Sequence, residues 1–352
     1  MTHTLGRRVT DGRTVTDSAA VDLTPTPGPV GPARFVILHF DNVNLSGGAK
    51  LTVALGYGTD VFTAGSGADI WTRPANPGPG PIQIRITGGA GSARLKEYGV
   101  GEPFVSPGNA PGTSTGSRTN CDVFLHTSPY EEPIYETRLM CTPGFAWRNS
   151  ACSLAPTVPD LVKDRVKAAS GIIVEVHGDH VSSCSGTLIG PDLFLTARHC
   201  LTDPSREDQR SASVTFDYNT ACDGTRPAGH QTRFFKVIEE VASGSPPTGS
   251  NPPVSTDWVV LRLDAAPGAL PAPLPMRAAA LMNGETILTM HHPNGAAKKC
   301  QAGIHDGGSI SGFDYAGGSS GSALFDIGGQ LVGGPLSSGS GCSVSYAPVS
   351  GI

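Results

Sequence analysis

Short apolar or alternating runs, each closed off by glycine or proline, recur along almost the whole chain. Arg34–Phe40 (RFVILHF), Lys50–Leu55 (KLTVAL) and Ile82–Ile86 (IQIRI) lie in the first third, and Ile172–His177, Leu193–Ala197, Trp258–Leu263 and Thr286–His291 in the second half. Runs this short, rich in branched residues, suit strands better than helices. The 46 glycines and 30 prolines among 352 residues exceed ordinary usage and supply the turns between them. The chain therefore reads as all-β, with Asp160–Ser170 (DLVKDRVKAAS) as a short helix.

Composition divides the chain into four parts. Residues 1–32 are polar and rich in Thr, Asp and Pro, and are expected to be disordered. Residues 33–105 carry closely spaced strand runs that read as a small β-sandwich. Residues 106–160 begin as a Pro/Gly/Ser/Thr-dense linker and continue as a cysteine-bearing connector, and residues 161–352 form the second folded domain. Two domains suit this length.

Three segments of the last part carry chemistry: Leu195–Cys200 (LTARHC), Thr256–Leu263 (TDWVVLRL) and Gly317–Leu324 (GGSSGSAL). In order they supply a histidine, an aspartate and a serine set among glycines. A serine hydroxyl needs a base to take its proton, and an imidazole titrates in the right range. A carboxylate on the far ring nitrogen holds the tautomer, and glycines let backbone N–H groups face a developing oxyanion. These roles fall to Ser320, His199 and Asp257, with the N–H groups of Gly318 and Ser320 as oxyanion donors. Asp203, Asp208, Asp217 and Asp264 also lie between the histidine and the serine, but only Asp257 opens an apolar strand.

Ser185–Ile189 (SGTLI), LTARHC and GSSGSAL resemble the trypsin/chymotrypsin superfamily. Val214–Cys222 (VTFDYNTAC), His291-His292-Pro293, Lys298-Lys299 and Leu331–Pro335 (LVGGP) resemble its bacterial secreted lysyl-endopeptidase branch. The likeness covers about Val166 to the C-terminus. It implies a double β-barrel with the triad in the cleft, and substrate adding as a strand along Val332, Gly333 and Gly334. The preceding sandwich is similar to CUB-like or pro-region domains. Relatives continue past the last cysteine through a strand and a helix, whereas ten residues follow Cys342 here.

The eight cysteines show no CxxC spacing, so no metal site is expected, and an even count points to disulfides and an oxidising compartment. Cys184 and Cys200 flank two strand runs and are expected to close the histidine loop. The resemblance implies Cys152–Cys222 and Cys141–Cys342, leaving Cys121 and Cys300 to pair or stay free. His291, His292 and His305 lack an acid or cysteine at ligand spacing, and Lys298-Lys299 is expected on the solvated surface.

Ser319 stands where vertebrate trypsins carry the aspartate that pairs with a newly cut N-terminus, so activation by that route is not expected. Asp314, six residues before Ser320, occupies the position of a carboxylate that would select Lys or Arg. Lysine-specific relatives instead use an acid after the last cysteine, and Ser343–Ile352 has none. Neutral or acidic specificity, and a non-catalytic homologue acting as a binding module, are the competing readings.

Net charge is −5 with both signs interspersed, so nothing points to nucleic acid as a partner. No apolar run is long enough to span a membrane. The start lacks the apolar core of a signal peptide. The disulfides and the resemblance nonetheless point to secretion. The expected enzyme is a cofactor-free, monomeric, secreted serine endopeptidase acting on protein or peptide substrates.

Overall fold

The computed structural model describes residues 3–25, 35–55, 58–75, 80–101, 147–201, 210–222, 232–244, 253–340 and 343–349. Its first nine strands are β1 (His3–Thr10), β2 (Thr14–Thr16), β3 (Val21–Leu23), β4 (Phe35–Leu45), β5 (Lys50–Leu55), β6 (Gly58–Phe62), β7 (Ile70–Trp71), β8 (Ile82–Thr87) and β9 (Gly91–Gly101). β3, β8, β5 and β6 form one sheet, and β1, β9, β4 and β7, with β2 on β9, belong to another. Alternation in β5 and β8 turns Leu51, Val53, Ile82 and Ile84 inward, where they meet Val36, Leu38, Phe40 and Leu95. The two sheets pack face to face as a β-sandwich.

The disorder expected for residues 1–32 is corrected by three strands within 3–25. Val15, Val21 and Leu23 are buried at the spacing strands require, and β1 is held by backbone pairing on both edges. Composition weighs side chains and is blind to such pairing.

After β10 (Arg148–Asn149) and α1 (Asp160–Ala169) come β11 (Ser170–His177), β12 (His180–Leu188), β13 (Leu193–Thr196), β14 (Ser213–Thr215), β15 (Phe235–Ser243) and β16 (Val259–Leu263). The helix buries Lys163, Val166 and Ala169 on one face. The six strands β11 to β16 close a barrel in the order β11-β14-β15-β16-β13-β12, with β12 returning to β11. Phe194, Phe216, Val260 and Leu261 lie in its core.

The second barrel comprises β17 (Thr286–His291), β18 (Lys299–Asp306), β19 (Ser309–Ser311), β20 (Leu324–Asp326), β21 (Leu331–Ser340) and β22 (Ser343–Pro348), with β10 on the edge of β18. Together they form an all-β, trypsin-like double barrel.

The two domains share a sheet. β1 pairs with β9 of the sandwich on one side and with β12 of the first barrel on the other. Beside it, Phe35, Ile37 and Trp71 pack against Ile172, Val174, Val176 and Val181. Arg73 pairs with Asp264 at 2.9 Å, and the half-buried Lys236 bonds the Trp71 carbonyl through its ammonium group. Among the described residues, no helix is long and apolar enough to cross a membrane.

Candidate active site

Strand register brings the histidine and the aspartate together. β13 and β16 are antiparallel with Thr196 opposite Val259, so the residues after Thr196 and those before Val259 leave at the same end. His199 follows in the 3₁₀ turn Arg198–Leu201, and Asp257 closes the 3₁₀ turn Val254–Thr256. Asp257 then meets His199 twice. One carboxylate oxygen accepts from ring Nδ1 at 2.7 Å, and the other from the backbone N–H at 2.9 Å. Both residues are buried. A bidentate contact of this kind fixes both the position and the tautomer of the ring.

Ser320 lies in the turn before β20, and its placement depends on β12. The Ser185 N–H donates to the Ser320 carbonyl at 2.7 Å, and Thr196 Oγ1 donates to the Ser185 carbonyl at 2.7 Å. The turn is thereby tied to the strand end that presents His199. Gly321 has φ of 84°, and a Cβ there would lie 2.2 Å from the Ser185 carbonyl oxygen and 2.3 Å from Thr196 Oγ1. Only glycine satisfies both demands.

Gly318 also has positive φ, 84°. Its carbonyl accepts from the Ser185 hydroxyl at 2.7 Å, and the next N–H, of Ser319, donates to the Ala316 carbonyl at 3.0 Å. The Ser319 hydroxyl pairs with His291 Nδ1 at 2.9 Å, at the place where an aspartate would otherwise sit.

Asp314 is fully buried, its backbone clasped by Gln301, whose amide nitrogen donates to the Asp314 carbonyl at 2.8 Å while its oxygen accepts the Asp314 N–H at 3.1 Å. Sequence reasoning missed its neighbour. The Tyr315 hydroxyl lies 2.6 Å from Ser320 Oγ. Burial, reinforced by the Asp257 charge, pushes the phenol well above its usual pKa, although the bond to Ser320 opposes this.

The segment expected to receive substrate, Val332, Gly333 and Gly334, lies in β21. Gly333 is paired with Leu324 on one side and Pro348 on the other, Val332 is buried, and a Cβ on Gly334 would meet the Ala323 backbone at 2.9 Å. Leu336 is the β21 residue that flanks the nucleophile turn, accepting from the Gly321 N–H and donating to the Ser322 carbonyl. β21 is bulged on both sides of Leu336, between Gly333 and Leu336 and between Leu336 and Ser338.

The Cys184 and Cys200 sulfurs are bonded to each other and lie near His199, so these three residues offer no thiolate pair to a metal. Cys152 is bonded to Cys222. Cys300 is a buried free thiol, raised to about 11 by burial. Cys121, Cys141 and Cys342 lie outside the described residues.

The lysine pair expected on the surface is buried. Lys298 Nζ donates to the carbonyls of Lys167 and Phe216 at 2.7 and 2.8 Å, and Lys299 Nζ bonds Asn149 Oδ1. Burial lowers the two ammonium groups to about 7 and about 8. His291 is lowered to about 3 by burial and the nearby Lys299 charge. His292 donates through Nδ1 to the Ala296 carbonyl, and His305 through Nδ1 to the Met282 carbonyl. The three histidines serve separate local contacts.

A double barrel with His, Asp and Ser brought to neighbouring turns is the architecture of trypsin-like serine proteases. Residues 147–348, over half of the chain, match the family described as lysyl endopeptidase, C-terminal domain, and the chain belongs to that family. Among solved structures it is similar to a Glu endopeptidase in complex with MPD at 22% identity, covering 60% of this chain and 94% of that one with a TM-score of 0.41. It is also similar to Rv3671c from M. tuberculosis H37Rv, an inactive form, at 18% identity, 57% and 94% coverage and a TM-score of 0.40. The thermostable serine protease AL20 from an extremophilic microorganism matches at 18% identity, 52% and 92% coverage and a TM-score of 0.39. No curated protein matches the chain.

Proposed function

We propose that this protein is a secreted serine endopeptidase in which Ser320 attacks the scissile carbonyl, His199 shuttles the proton and Asp257 orients and stabilises the imidazole. The two-point grip of the Asp257 carboxylate on His199 is the observation that carries this reading. The N–H groups of Gly318 and Ser320 serve the oxyanion, the intervening Ser319 N–H being committed to Ala316. Fluorophosphonate labelling with peptide mapping tests the assignment. An adduct on Ser320 that is lost in Ser320→Ala and His199→Ala is expected, and unlabelled, oxidised, folded protein would refute it.

Cleavage after Lys or Arg is the finer reading, carried by the buried Asp314 carboxylate. A neutral preference is favoured instead by Tyr315, which places a buried aromatic group directly beside the nucleophile. Cleavage-site profiling of a peptide library separates the two.

A further inference from the structure

Resting on the reading of Ser320 as nucleophile, we propose that Tyr315 is a catalytic residue. It donates a hydrogen bond to Ser320 Oγ and favours negative charge there, both when that atom attacks and when it is expelled. Tyr315 sits among Phe313, Leu324, Val332 and Leu336 in the second barrel, with its hydroxyl 2.6 Å from Oγ.

The direction of the bond follows from the hydrogen-bond inventory. Oγ has one proton and two lone pairs, and its proton belongs to His199 during attack. Tyr315 is buried in an apolar cluster, and an O–H that only accepted from Ser320 would be left a buried orphan. A phenol is also the stronger acid of the two. Tyr315 is therefore the donor, and its raised pKa keeps the proton in place across the working pH range.

The arrangement stays complete through the cycle. In acylation the Oγ proton passes to His199 Nε2, the Oγ–carbon bond forms, and the carbon–nitrogen bond breaks as His199 protonates the departing amine. In deacylation water adds to the carbonyl carbon and gives a proton to His199. The carbon–Oγ bond then breaks as His199 returns a proton to Oγ. Throughout, one Oγ lone pair faces Tyr315 and the other serves carbon or His199. Tyr315 never transfers its proton. It stabilises the oxygen while charge builds on it.

Fluorophosphonate labelling rate, kcat and KM on a peptide ester are measured for wild type, Tyr315→Phe, and protein carrying 3,5-difluorotyrosine at 315. Losing a bond to a partly charged oxygen is expected to slow labelling and kcat/KM about tenfold in the Phe variant with KM unchanged. The more acidic fluorinated phenol is expected to move the rates the opposite way, and this arm stands alone if the Phe variant does not fold. Equal rates would make Tyr315 a filler, and a faster Phe variant would make the bond a brake; either overturns the proposal. Absence of a Ser320 adduct in folded wild-type protein is a different failure, because it removes the nucleophile reading on which the proposal stands.

Discussion

The Ser185 hydroxyl donates to the Gly318 carbonyl at 2.7 Å across a sequence separation of 133, and the same oxygen accepts the His292 N–H at 2.9 Å. One side chain on β12 thus orients the peptide that leads into Ser320 and braces the His291-His292-Pro293 turn. All of these groups are buried, so neither the carbonyl nor the N–H has water to replace the hydroxyl.

Ser185→Ala should therefore cost about 1–3 kcal/mol for each buried polar group it orphans. The freed Gly318 peptide would also disorganise the oxyanion donors, lowering kcat more than it raises KM. Urea titration and steady-state kinetics on one peptide ester check both effects. A variant with native stability and native kcat would show that the glycine turn holds its shape unaided.

Gly321→Ala should be far more damaging. The added Cβ would sit 2.2 Å from the Ser185 carbonyl oxygen, at a φ of 84° that L side chains avoid. The neighbours are the Ser185 carbonyl, the Ala197 N–H and the Thr196 hydroxyl that is itself bonded to that carbonyl, so none is free to yield. Loss of more than about 3 kcal/mol and of fluorophosphonate labelling is expected, by analogy with other strained core substitutions. A folded, labelled Gly321→Ala protein would contradict the tight packing of β12 on the turn.

How much of this was legible in the sequence follows from where the signal lives. His199 and Asp257 sit at the ends of apolar strands and Ser320 in a glycine turn, so local pattern singles them out, and strand register brings the first two together. Lys298 and Lys299 misled because a charge suggests solvent, while their ammonium groups are satisfied by backbone carbonyls and Asn149 from distant segments. β18 was overlooked for the same reason, since Lys299, Gln301 and His305 are buried polar residues on it. The roles of Ser185 and Tyr315 depend on contacts between segments, and nothing in their immediate neighbours announces them.

Glu97 gives the sandwich a measurable pH dependence. Burial alone would raise its pKa, but bonds from His39 and Arg8 outweigh this and hold it at about 2. The folded pKa lies below the unfolded one, so the carboxylate stabilises the fold fully above about pH 4.5 and this contribution is lost as pH falls through about 2. The gap in urea midpoint between wild type and Glu97→Gln should therefore be widest near pH 5 and shrink towards pH 2. A gap that stays constant over that range would show that the charge on Glu97 is not what matters.

β1 makes the sandwich and the first barrel one continuous sheet, which bears on what happens when the chain is cut between them. β1 pairs with β9 and with β12, and Trp71, fully buried, packs in the apolar cluster shared with Ile172 and Val174. A single engineered cleavage between residues 106 and 120 should leave both pieces together, because backbone pairing and buried aromatic area oppose release without a covalent link. Trp71→Ala removes the largest side chain of the sandwich at that boundary, a loss worth about 3–5 kcal/mol, and should let the cut pieces part. Size-exclusion chromatography of cut protein in non-denaturing buffer reads both outcomes. Separation of the wild-type pieces would mean that β1 docks only while tethered, as in a pro-region released on processing. Co-elution that Trp71→Ala abolishes would identify the sandwich as a permanent wall of the barrel.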